Sequence, residues 1–86
     1  MTNPALTPRR KRILWRAMHR GMKEMDLLLG GYAARALPSL SERELDELEA
    51  VIELPDPALL SWIKGEAPVP PVIDTPTLRA VLAFRP

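Results

Sequence analysis

Apolar positions along this chain recur at intervals of three and four, the spacing that collects them on one face of a helix. The first such segment follows Thr7-Pro8, where proline suits an opening helical position. It places Ile13, Leu14, Ala17 and Met18 together between Arg9 and Met18. Gly21 interrupts the pattern. Beyond it Met22, Met25, Leu28, Leu29, Tyr32 and Ala36 predict a second helix from Met22 to Ala36. Leu27 beside Leu28 and Leu29 widens its apolar arc, as for a helix lying among several neighbours. Gly30 and Gly31 weaken it by roughly 1 kcal/mol each against alanine, a tolerance that a close helix crossing would explain.

Pro38 stops the second helix, and Ser39 with Glu42, or Ser41 with Glu44, has the form of a capping box that starts the next. A third helix is expected from Glu42 to Leu54. Leu45, Leu48, Val51 and Ile52 form its inner stripe, which leaves Glu42, Glu44, Asp46, Glu47, Glu49 and Glu53 to face water. Asp56-Pro57 and Thr75-Pro76 repeat one device, a capping side chain followed by proline. They open short helices from Pro57 to Lys64, closed by Gly65, and from Pro76 to Phe84. Between these, Glu66 to Val72 is expected as an extended, polyproline-like connector. The chain shows no sustained alternation and no Asn-Gly or Asp-Gly turn, so strands are not expected. The pattern predicts an all-α fold, a small compact five-helix bundle, with residues 1–8 as a flexible N-terminal segment and residues 9–86 as one domain.

Composition narrows the chemistry. The 86 residues include no cysteine and one histidine, so neither a disulfide framework nor a Cys/His zinc site is expected. No apolar run approaches the ~20 residues that span a bilayer. Residues 1–8 precede Arg9-Arg10-Lys11-Arg12 with no long apolar stretch, a poor secretory signal, and a cytoplasmic location is expected. A net charge of +1 hides an uneven distribution: residues 1–35 hold eight bases and two acids, residues 36–86 four bases and nine acids. Either the two parts neutralise each other within the fold, or the basic part meets an acidic partner.

Catalytic apparatus is not evident. His19 has no serine elbow to serve and suits a surface or capping role at a helix end. The paired carboxylates share an exposed face with nothing to raise their pKa. Gly30-Gly31 lacks the strand and lysine of a phosphate loop. We therefore expect no enzyme, no metal site and no cofactor site. The basic run from Arg9 to Arg16, with Trp15 inside it, has the residue types of a nucleic-acid grip, but an acidic third helix would repel a duplex. It equally suits a protein-binding face anchored by Trp15 and Arg16. The most specific string is Arg20-Gly21-Met22-Lys23-Glu24-Met25-Asp26. It reads either as a helix start, with Gly21 as N-cap and Glu24 three residues on, or as an exposed corner presenting arginine, bare backbone and a carboxylate together.

At this string the chain resembles the succinate dehydrogenase flavinylation factors, the assembly factor 2 family, whose hallmark is Arg-Gly-x-x-Glu. Arg12-Ile13-Leu14-Trp15 before it, and Leu40-Ser41 and Asp56-Pro57-Ala58-Leu59-Leu60-Ser61-Trp62-Ile63 after it, follow the family's order across residues 9–84. The resemblance implies a five-helix bundle that binds the flavoprotein subunit of succinate dehydrogenase, with the related fumarate reductase as a second client. It implies promotion of covalent FAD attachment to a histidine of that subunit. The client's histidine attacks the flavin 8-methyl carbon, and the FAD is the partner's, so the chain needs no cofactor of its own. Arg20, Gly21 and Glu24 would form the centre of the contact, with Arg12 and Trp15 on the adjoining face of the first helix. Trp62 is expected in the core, and the chain is expected to act as a monomer, without nucleic acid or membrane insertion. The alternative from another class is a regulatory, antitoxin-like protein-binding module; nucleic-acid binding through Arg9 to Arg16 is a distant third.

Overall fold

Thr7, Ser41 and Thr75 each turn a hydroxyl onto the backbone N–H three residues ahead, and each thereby starts a helix. Together with two proline-led or glycine-led starts they give five helices in the computed structural model, which describes residues 6–86. These are α1 (Pro8–Met18), α2 (Lys23–Ala36), α3 (Glu42–Ile52), α4 (Asp56–Ile63) and α5 (Pro76–Ala83). Single 3-10 turns follow α2 at Leu37–Ser39 and precede α5 at Pro71–Ile73. No strand occurs among the described residues.

Several local choices left open by the sequence are decided by hydrogen bonds. The capping box of α3 is the Ser41 and Glu44 pair: the Ser41 N–H donates to Glu44 Oε1 at 2.8 Å and the Glu44 N–H to Ser41 Oγ at 3.1 Å. Ser39 instead donates its hydroxyl to the Ala36 carbonyl. Gly65, at φ +72°, ends α4 as expected. Its N–H reaches the Trp62 carbonyl, and the Glu66 N–H reaches that of Ser61 at 2.8 Å, the paired bonds of a Schellman turn.

Other expectations are corrected. Asp56 is the first residue of α4, with Pro55 at the cap position and no side-chain cap bond; its carboxylate is committed elsewhere. Met22, rather than Gly21, is the N-cap of α2. The connector is not extended to Val72, because the 3-10 turn begins at Pro71. Of the segment expected to be flexible, residues 1–5 lie outside the described residues. Leu6 packs against the core and Thr7 caps α1, so the folded unit begins before residue 9.

α2 lies along α1 and also meets α5, while α3 bridges α1 and α5 and α4 packs on α5. Ile13 and Ala17 of α1 and Met25, Leu29 and Ala33 of α2 are buried, as are Leu45 and Leu48 of α3, Leu59 of α4 and Leu78 and Val81 of α5. Met18, which the spacing put inside, and Leu27, which widened the apolar arc, are half-exposed. The wide arc of α2 is thus narrower than its three consecutive leucines suggest. Trp62 is half-buried against the core. The Cα radius of gyration is 12.4 Å, near the ~12 Å of a compact chain this long.

The close crossing behind Gly30-Gly31 is present. A Cβ built on Gly30 would stand 2.9 Å from Met18 Cγ and 3.3 Å from Met18 Cα, where the end of α1 meets α2. A Cβ on Gly31 would meet the Phe84 ring at 2.9 Å. That ring also packs edge-on against Tyr32, with centroids 6.0 Å apart.

Candidate docking site

The corner between α1 and α2 is built by an arginine that points inward. α1 ends at Met18, His19 occupies its cap position, and Gly21 turns the chain at φ +95°, in the left-handed region that glycine enters without a steric penalty. Nothing lies within 4 Å of a Cβ built there, so Gly21 opens onto solvent. Immediately before it, Arg20 folds its guanidinium under the corner onto the turn between α3 and α4. Its Nε and Nη2 donate to Asp56 Oδ1 at 3.0 and 2.7 Å, Nη2 also donates to the Leu54 carbonyl at 2.6 Å, and Nη1 donates to the Ile52 carbonyl. The Arg20 backbone N–H donates to Asp26 Oδ1 at 2.6 Å.

Arg20 therefore satisfies two carbonyls left over at the end of α3 and neutralises a carboxylate at the start of α4. The two side chains are 10% and 18% exposed. This corrects the expected arrangement: the guanidinium is not available at the surface of the corner. Asp26 and Asp56, which the sequence reading assigned to helix starts, are its anchors. The available signal was the pairing of the two motifs, Arg-Gly-x-x-Glu and Asp-Pro, which the fold makes one unit.

The other expected residues are on the surface. Trp15 is 61% exposed, and its ring stacks on His19 at 4.2 Å. His19 Nδ1 lies 2.7 Å from the Trp15 carbonyl, an acceptor, so that nitrogen carries the proton and donates. The single histidine is thus a surface group at a helix end. Trp15, Arg16, His19, Arg20, Pro55 and Asp56 line an open depression of ≈ 470 Å³. Arg12 is exposed one turn before Trp15 and makes no ion pair among the described residues. Glu24 is exposed in the first turn of α2. It borders a different depression of ≈ 310 Å³, with apolar walls from Met25, Leu28, Leu60, Ile63 and Phe84. The fold thus gathers Trp15 and Arg20 at one depression and sets Glu24 beside another.

Half of the bases of residues 1–35 are used internally, Arg20 among them. Arg9 Nη1 donates to Glu42 at 3.0 Å, and Nη2 to Asp46 at 2.6 Å and to Glu49. These partners, Glu49 first and then Asp46, raise the Arg9 pKa above its ordinary value. Arg10 donates to the carbonyls of Leu37 and Leu40, and Arg16 pairs with Glu53. Carboxylates neutralise Arg9 and Arg16 within the fold and carbonyls hold Arg10, which removes all three from a phosphate-gripping face.

The fold is a small all-helical bundle whose α1–α2 corner presents Trp15, Gly21 and Glu24 to solvent, and no metal-ligating cluster occurs among its described residues. A family match says what kind of bundle it is. The chain belongs to the family described as flavinator of succinate dehydrogenase, whose model matches residues 11–85. It is 39% identical over 77 residues to the FAD assembly factor SdhE of Acetobacter pasteurianus, covering 90% of this chain and 71% of that one. It is 38% identical over 72 residues to the mitochondrial succinate dehydrogenase assembly factor 2 of Dictyostelium discoideum, with 84% and 51% covered. To the protein of that name from Saccharomyces cerevisiae it is 33% identical over 73 residues, with 85% and 45% covered. The chain spans about half the length of these mitochondrial relatives. No solved structure matches it. As a member of a family of assembly factors, the chain is not an enzyme.

Proposed function

We propose that this chain binds the flavoprotein subunit of succinate dehydrogenase, with the fumarate reductase flavoprotein as a second client, and promotes covalent attachment of FAD to a histidine of that subunit. It acts in the cytoplasm as a monomer and leaves the bond-making to its client. The observation that carries this reading is the α1–α2 corner. Gly21 turns there at a positive φ with open space beside it, so a client backbone can approach the bare main chain. Trp15 and Arg12 stand on the adjoining face of α1, and Glu24 supplies an exposed carboxylate. Arg20 contributes from beneath, by fixing the turn. Exposed Trp and Arg beside a bare backbone are the usual anchors of a protein interface. Docking would hold the client's own histidine and flavin in register, a positioning effect that lowers a barrier without a catalytic group on the chaperone.

The test is flavin fluorescence of the denatured flavoprotein subunit in a gel, from cells lacking this gene and complemented with wild type or Glu24→Ala. Glu24 is exposed, so its truncation spares the fold. Covalent flavin lost in the deletion, restored by wild type and restored less by Glu24→Ala is the expected result. Undiminished fluorescence in the deletion would sink the proposal and favour the antitoxin-like alternative.

A further inference from the structure

We infer that Asp56 is a positioning residue for the docking corner, although it lies outside the Arg-Gly-x-x-Glu string. This rests on the docking role proposed above. Asp-Pro at the start of a helix ordinarily signals a capping carboxylate, yet Pro55 sits at the cap position and Asp56 makes no cap bond. Its Oδ1 instead accepts from both Nε and Nη2 of Arg20. With the Ile52 and Leu54 carbonyls it engages Nε, Nη1 and Nη2 of Arg20. Because Asp56 is the first residue of α4, its charge also lies at the favourable end of that helix.

The geometry gives this carboxylate leverage over the corner. Between Met18 and Lys23 the chain has left α1 and has not entered α2; nothing lies within 4 Å of a Cβ built on Gly21, and on its far side Met22 packs against the core. Arg20 is bound at both ends: its backbone N–H to Asp26 of α2, and its side chain to the α3–α4 turn. The Asp26 bond ties the corner only to the helix it leads into. The Asp56 bonds tie it to the opposite half of the bundle. Without them the Arg20 guanidinium keeps neutral carbonyl acceptors alone, and the left-handed turn at Gly21 becomes one conformer among several. Apparent affinity falls in proportion to the population that remains competent, so a drop to about a tenth weakens docking roughly tenfold.

The experiment measures the affinity of the purified flavoprotein subunit for wild type, Asp56→Asn and Val81→Ala. The last removes buried core volume from α5, which supplies none of the corner's bonds, and reports what general destabilisation does. Amide hydrogen exchange is followed at residues 20–24 in the same three proteins. Expected are roughly tenfold weaker binding and faster exchange at the corner for Asp56→Asn, with neither for Val81→Ala. Unchanged affinity and exchange in Asp56→Asn, or equal losses in both variants, would overturn the assignment. If Asp56→Asn does not fold, Arg20→Lys takes its place. Lysine keeps the charge but lacks the planar fork that serves carboxylate and carbonyls together, so the same loss is expected. If wild type itself does not bind the subunit, the functional proposal fails. The exchange comparison then decides alone: acceleration confined to the corner in Asp56→Asn upholds the positioning role, and its absence refutes it.

Discussion

Removing the Arg20 side chain would strand the Asp56 carboxylate and leave the carbonyls of Ile52 and Leu54 without their donor. Breaking a largely buried pair from one side is costly because the remaining charge is uncompensated. Arg20→Ala should therefore lower the unfolding free energy by on the order of 3 kcal/mol, read as a shifted urea midpoint at unchanged slope. A variant that lost client binding with full stability would instead put Arg20 in the interface itself. The string around Arg20 was legible as special from sequence, but its direction was not. An arginine beside an exposed glycine looks like a surface pair. Only the unpaired carbonyls that close α3, together with the acid that opens α4, explain why the guanidinium turns inward. His19 was the easier case, since a lone histidine with no nucleophile nearby has little to do except finish a helix.

Periodicity carried the element scale well, because capped helices with one apolar stripe announce both ends. It misplaced residues where two helices touch. Met18 fits the apolar spacing and Leu27 widens the apolar arc, yet both are half-exposed; α1 and α2 approach through Gly30, which lies against Met18. Gly30→Ala should thus destabilise. Its new methyl would crowd Met18 Cα as well as Cγ, and overpacking of about 1–3 kcal/mol outweighs the roughly 1 kcal/mol gained in helix propensity. Gly31→Ala meets the edge of the Phe84 ring and, at 3.9 Å, Pro86 Cβ, side chains beyond the end of α5 rather than backbone, so it should be near neutral. Thermal melts of both variants check the contrast, and equal losses would mean that the crossing at Gly30 is not the tight one.

Across the whole molecule, part of the separation between the basic residues 1–35 and the acidic residues 36–86 serves to hold α1 against α3, through Arg9, Arg10 and Arg16. Acid should weaken the fold. The Ser41 backbone N–H, and next its hydroxyl, hold the Glu44 carboxyl below its ordinary 4.5, and Arg79 holds that of Asp74 below 3.8. Both folded values lie beneath the unfolded ones. The stabilisation is therefore complete above about pH 4.5 and is lost as the pH falls through the folded values. Urea midpoints should stay level from neutrality to about pH 5 and decline below about pH 4, less steeply in Glu44→Gln. A midpoint that rose on acidification would contradict the sign.

The bonds that fix Arg20 to the α3–α4 turn join residues 32 to 36 positions apart. Polypeptide leaves the ribosome at about 5–20 residues per second, so roughly 2–7 seconds separate the synthesis of Arg20 from that of Asp56. Throughout that interval the motif exists as sequence without its anchor. The corner thus takes its final shape only after the start of α4 has followed it.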